Sequence, residues 1–174
     1  MKKRFWLPVA AVATALSLTA CLKNNDDDIV RCTSYTLQRD QQAIDSIIGS
    51  ELDTYTFDTQ NSLYYKINNP GAGEGAVTND SLVAFNYVGR LLNSTGTGTI
   101  IDSLTIKPPA TNNLSYYARL IVASYALPKI KEGGSITVIV PSSQLFGCQE
   151  MTGVNRIPPN SQLIYTYNLT DVRR

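Results

Sequence analysis

Apolar and polar residues alternate most regularly in two stretches of the chain. In the first, Val83, Phe85 and Tyr87 fall on one side and Leu82, Ala84, Asn86 and Val88 on the other. In the second, Leu163, Tyr165, Tyr167 and Leu169 share one pleat face, and Ile164, Thr166, Asn168 and Thr170 share the other. A period of two places successive side chains on opposite faces of a strand, so both stretches read as strands. Leu63, Tyr65 and Ile67 form a shorter alternation that ends in the turn residues Asn69-Pro70-Gly71. Ile100 and Ile101 resume an extended chain before Asp102, and "SITVIVP" is a β-branched run that reads as another strand. Pro158 and Pro159 lack a backbone N–H and have a fixed φ, so they predict a stiff loop leading into the closing strand.

Helical spacing is confined to two places. In "TLQRDQQAIDSII", Leu37, Ala43 or Ile44, Ile47 and Ile48 lie near one helical face, with Gly49 as the stop. "YYARLIVASYALPKIKEGG" is mixed in period and predicts a strand edge feeding a short helix that ends near Gly133-Gly134. Antiparallel strands with one short helix crossing them make an α+β domain. Gly71, Gly73 and Gly75 suggest a phosphate loop only superficially, because the lysine and the following helix are missing.

The N-terminus has a different character. Lys2, Lys3 and Arg4 precede an apolar stretch from Phe5 to Ala20, which stops at a small-residue step before Cys21. That is the pattern of a secretory signal peptide, shorter than the ~20 apolar residues that span a bilayer. Its end, Leu18-Thr19-Ala20-Cys21, resembles a bacterial lipobox, which implies lipidation of Cys21 and removal of residues 1–20. The acidic run Asp26-Asp27-Asp28 reads as a solvated spacer and also resembles sorting tags of Bacteroidetes-type surface lipoproteins. These features predict a cell-envelope protein tethered by lipid, in the outer membrane. The expected organisation is a signal peptide over 1–20, a tether and short helix over 21–58, and a domain over 59–174.

Composition narrows the chemistry. The chain contains no histidine, which excludes histidine metal sites, Ser-His-Asp triads and Cys-His dyads. Net charge is +1 with dispersed cations, so no nucleic-acid surface is expected. With Cys21 consumed, Cys32 and Cys148 remain in an oxidising compartment and read as a disulfide, the alternative being two separate buried thiols. Such a bridge closes a long loop and stabilises by ~4–5 kcal/mol on chain-entropy grounds.

Four stretches, "LYYKINNPGAGE", "VAFNYVGRLL…IIDS", "LPKIKEGGSITVIVPSSQLFG" and "IPPNSQLIYTYNLTDV", together resemble FKBP-type peptidyl-prolyl cis-trans isomerases over roughly residues 60 to 172. The resemblance implies a bent antiparallel sheet wrapped around a short helix, with a pocket between them. It implies isomerisation of X-Pro bonds in exported polypeptides, with no cofactor and no metal. The barrier to be lowered is ~18–20 kcal/mol of lost amide resonance, and a dry aromatic pocket favours the less polar twisted amide.

Carried over by position, the resemblance makes Tyr87, Asp102 and Phe146 the catalytic set, and Ile101, Leu120, Ala123 and Tyr165 the substrate-binding set. The Leu120 N–H is expected to meet a substrate carbonyl. Phe146 replaces a tyrosine, and Ala123 replaces a tryptophan pocket floor, for which Tyr125 is a candidate substitute. The stretch "NSTGTG" is an insertion. A non-catalytic FKBP-like binding or chaperone module remains an alternative function. Tyr87 and Tyr165 would serve equally well as core aromatics, and Asp102 as a turn cap.

Overall fold

A computed structural model describes residues 32–73, 76–93, 98–118, 120, 122–152 and 156–173. Cys21, the acidic run and most of the inserted stretch lie outside the described residues. Six strands form one antiparallel sheet: β1 Thr56–Asp58, β2 Leu63–Asn69, β3 Leu82–Leu91, β4 Ile100–Thr105, β5 Ser135–Val140 and β6 Leu163–Arg173, in the order β1-β2-β5-β6-β3-β4. Register shifts at Ala84/Phe85, Ile67/Asn69 and Gly89/Arg90 bend the strands, as bulges do.

The two alternations seen in the sequence face each other across the centre of the sheet. Tyr87 pairs with Tyr167, and Tyr167 with Ile136, and directly opposed residues project to the same side. That side carries Val83, Phe85, Ile136, Val138, Tyr167 and Leu169, all buried. The short helix α2, Ala123–Ala126, covers it, with Ala123, Ala126 and Leu127 at 0% exposure. Among the described residues no strand immediately precedes α2. Leu114–Tyr117 form a 3₁₀ turn capped by Asn113, whose side chain accepts from the Tyr116 N–H at 3.1 Å. The helix stops at Ala126 rather than near the glycines, and a 3₁₀ turn, Leu127–Lys129, follows with Pro128, which has no N–H to continue an α-helix.

The opposite face is also covered. Helix α1, Leu37–Ile48, starts at Thr36, whose hydroxyl accepts from the Arg39 N–H, and stops at Gly49 in the left-handed region (φ 58°). Its Ile44 is fully buried with Leu92 and Ile139, and Ile47, Ile48 and Ile164 pack around them. The described part of segment 21–58 is therefore packed against the sheet, and β1 extends the sheet's edge. Its three residues are too few to produce a readable period.

Candidate functional site

The cleft lies where β3, β4 and β6 meet the approach to α2. Gly89 pairs with Asp102 on β4 and with Tyr165 on β6, while Tyr87, two residues earlier, pairs with Tyr167. The pleat thus points Tyr87, Asp102, Tyr165 and Tyr167 the same way. A Cβ at Gly89 would come within 2.5 Å of the Tyr165 ring, so the absence of a side chain there lets the ring lie across the strand. The cleft encloses about 160 Å³ between these residues, with Leu120 and Val122 on the helix side and Leu145 and Phe146 on a lip.

Aromatic packing builds the wall. Tyr87 and Tyr167 have ring centroids 5.0 Å apart, and Tyr165 lies 6.1 Å from Tyr87. Tyr87 is 3% and Tyr167 1% exposed. The Tyr87 hydroxyl donates to Asp102 Oδ2 at 2.5 Å, tying a buried ring to an exposed carboxylate at the rim. Burial, then the bond to Asp102, pushes the Tyr87 hydroxyl well above its ordinary value, so it stays protonated and remains a donor at physiological pH. Tyr165 is pushed up to about 12 by burial and by the Asp102 charge. Burial likewise raises Tyr167, with neighbouring Tyr87 adding to it.

The two lips are loops. One runs from Pro141 through a 3₁₀ turn, Ser142–Gln144, and presents Leu145 and Phe146. The other, the proline loop, adds no residue to the lining and borders the cleft through Ile157, which packs with Leu145, Phe146 and Tyr165 and exchanges backbone bonds with Met151 at 3.1 Å each. The lips are joined directly, the Asn160 N–H donating to the Gly147 carbonyl at 2.7 Å. The N-terminal segment binds both. Cys32 and Cys148 form a disulfide with Cα atoms 5.6 Å apart, the Cys148 N–H donates to Ser34 Oγ at 3.1 Å, and the Tyr35 N–H donates to Asn160 Oδ1 at 3.0 Å.

Of the residues expected from sequence, Tyr87, Asp102, Leu120, Phe146 and Tyr165 line the cleft, and Ile101 and Ala123 are absent from its lining. Ile101 sits at the register shift between Gly89 and Arg90, where the strand's alternation is interrupted, and is buried with Ile157 and Leu163 in a cluster that the cleft residues Leu145, Phe146 and Tyr165 pack against. Ala123 is fully buried in the core, and its neighbour Val122 lines the cleft in its place. Tyr125 does not fill the floor. Its hydroxyl donates to Asp58 Oδ2 at 3.1 Å, and Lys129 Nζ sits 4.4 Å from its ring centroid. The Leu120 side chain lines the cleft, whereas its N–H donates to the Tyr117 carbonyl at 2.8 Å. The sequence reading missed Tyr167 and Gly89. The period-two run through Tyr165 already carried the signal for Tyr167; Gly89 had none beyond being a glycine inside a strand.

Among the described residues no cluster of acidic or sulfur ligands is arranged to hold a metal, and no helix is long and apolar enough to cross a membrane. The cleft is organic in character, with aromatic walls and a single carboxylate.

Comparison with known proteins places this geometry. The chain is 31% identical over 115 residues to the FKBP-type peptidyl-prolyl cis-trans isomerase FkpA of Buchnera aphidicola (strain Sg), covering 66% of this chain and 42% of the relative. It is 32% identical over 114 residues to the Escherichia coli K12 FkpA, covering 64% of this chain and 38% of the relative. The match thus spans about two fifths of those relatives' length. Among solved structures, a peptidyl-prolyl cis-trans isomerase from Pseudomonas syringae pv. tomato shares the fold at a TM-score of 0.54 and 22% identity, covering 79% of this chain and 93% of that one. The crystal structure of E. coli FkpA aligns at 0.50 and 23% identity, covering 78% and 58%. The family model for FKBP-type peptidyl-prolyl cis-trans isomerases matches residues 73–170, more than half of the sequence, and the chain belongs to that family.

Proposed function

We propose that the protein is a lipid-anchored peptidyl-prolyl cis-trans isomerase of the cell envelope, acting on X-Pro bonds of exported polypeptides. The observation that carries this reading is the Tyr87–Asp102 hydrogen bond at the mouth of a cleft walled by Tyr165 and Tyr167. In this mechanism the prolyl ring enters between the tyrosines and Val122, losing its water. The planar amide, with its larger dipole, is disfavoured there relative to the twisted one. Tyr87 holds the Asp102 carboxylate at the rim, where its field acts on the rotating carbonyl group. Phe146 and the proline loop close over the peptide. None of these steps needs a nucleophile.

The wider assignment follows the N-terminal pattern: a leader over 1–20, lipidation at Cys21, a tether and helix over 21–58, and the isomerase domain over 59–174. Outer-membrane placement belongs to the same reading. A non-catalytic module that holds extended segments is favoured by two observations, the Leu120 N–H being bonded to Tyr117 and a buried alanine standing at the tryptophan position.

The deciding measurement is cis-to-trans isomerisation of a Leu-Pro peptide by the full chain, beside Asp102→Ala and Tyr87→Phe. Acceleration that falls in both variants supports the enzyme. A buffer-level rate from folded protein, with peptide binding retained, leaves the holding module.

A further inference from the structure

Asp40 is the one buried acid among the described residues, at 0% exposure on helix α1. Its Oδ1 accepts from Ser142 Oγ at 2.7 Å and from Gln162 Nε2 at 2.9 Å, and its Oδ2 accepts from the Ser143 N–H at 2.8 Å. Ser142 and Ser143 open the turn that presents Leu145 and Phe146, while Gln162 joins the proline loop to β6, three residues before Tyr165. One carboxylate oxygen therefore accepts a hydrogen bond from each lip of the cleft. Burial pushes this carboxyl up, and the bonds from Ser143, Ser142 and Gln162 outweigh it, leaving the group below the ordinary carboxylate value and ionised at neutral pH.

Attachment of the helix alone does not need this arrangement. Ile44 lies one turn further along the same face and is fully buried against Leu92 and Ile139. A second apolar residue at position 40 would anchor α1 without desolvating a charge, which costs several kcal/mol unless well paired. What the carboxylate adds is direction, since it fixes where two loops stand relative to each other.

We propose that Asp40 is a positioning residue of the prolyl site, setting the spacing of the Phe146 lip and the proline lip from outside the cleft. It touches neither substrate nor reacting amide. The proposal deepens the isomerase reading and rests on it for its kinetic consequence.

The test compares the full chain, Asp40→Asn and Ile44→Val, reading isomerisation kinetics and amide hydrogen exchange. Asparagine keeps the shape but presents an NH₂ where one oxygen accepted, setting donor against donor at one lip. Ile44→Val loosens the same helix without touching either lip. In Asp40→Asn, kcat/KM falls on the order of tenfold. The loss lies mainly in KM, because the lips clasp the peptide, and exchange quickens at Phe146, Gly147 and Gln162. Ile44→Val leaves kcat/KM and lip exchange as in the parent. Unchanged kinetics in Asp40→Asn, or an equal fall in Ile44→Val, overturns the proposal. An inactive parent chain overturns the isomerase reading instead. Lip exchange then decides the positioning role by itself, quickening in Asp40→Asn alone supporting it and no change sinking it.

Discussion

The wall of the cleft and its lips are held in place differently. Tyr87, Tyr165 and Tyr167 stand on neighbouring strands in fixed register, and their positions follow from strand pairing and ring packing at 5.0 to 6.3 Å. The lips carry Phe146 and Pro158 on loops outside the sheet, with a single bridge between Met151 and Ile157. Their placement comes from polar groups far away in sequence: the Asp40 carboxylate, the Tyr35 N–H, Ser34 and the Cys32–Cys148 bridge. The wall tolerates little change in volume, whereas the lips tolerate little change in hydrogen-bond polarity.

Substitution in the wall is expected to have the largest effect. Tyr167→Ala removes a ring buried against Phe85 and Tyr87 and should cost ~3–5 kcal/mol in denaturant unfolding, abolishing isomerisation with it. Asp40→Ala comes next. It strands three donors, and about 2–3 kcal/mol of stability should be lost at pH 7. The pH dependence separates the two regions. Because the folded-state value of Asp40 is lowered, its contribution is complete above about pH 4, the unfolded carboxylate value, and is lost as pH falls through the lower folded value. The stability gap between parent and Asp40→Ala should therefore narrow in acid, while the gap for Tyr167→Ala persists.

Gly89→Ala tests the wall more finely. The new methyl meets the Tyr165 ring, so the ring must move, at about 1–2 kcal/mol of stability and with a larger proportional loss of kcat/KM. If activity survives with Tyr165 displaced, the wall is less exacting than the pairing suggests. The smallest effect is expected at the surface pair Lys66–Glu51, 3.7 Å apart and far from both regions. Lys66→Ala should change unfolding free energy by less than ~0.5 kcal/mol and leave kinetics unchanged.

The same contrast explains what could be read from the sequence. The wall was legible because a strand's period of two is written into consecutive residues: Val83-Phe85-Tyr87 and Leu163-Tyr165-Tyr167 both landed as expected. Helix α1 was legible to within one residue from its spacing and from Gly49. The lips were not. Asp40 looks like an ordinary surface acid in a polar helix, and its partners lie 102 and 122 residues away. Ile101 lies outside the cleft lining but in a cluster with Phe146 and Tyr165, at a register shift that a period of two does not reveal. Tyr125 was a reasonable substitute for the missing tryptophan until Asp58 and Lys129 were seen to hold it elsewhere.

Strand β6 sits between β5 and β3, yet it comes after both in sequence. The pairs β1–β2 and β3–β4 can each form between chain neighbours, but the two halves of the sheet share no border until β6 enters. During synthesis, β3 and β5 thus each wait with an open edge, a template for pairing with other chains. Closure requires contacts of long sequence separation, such as Leu82 with Arg173, which makes folding slow relative to helical proteins of this size. The sheet therefore closes only when the latest of its six strands arrives.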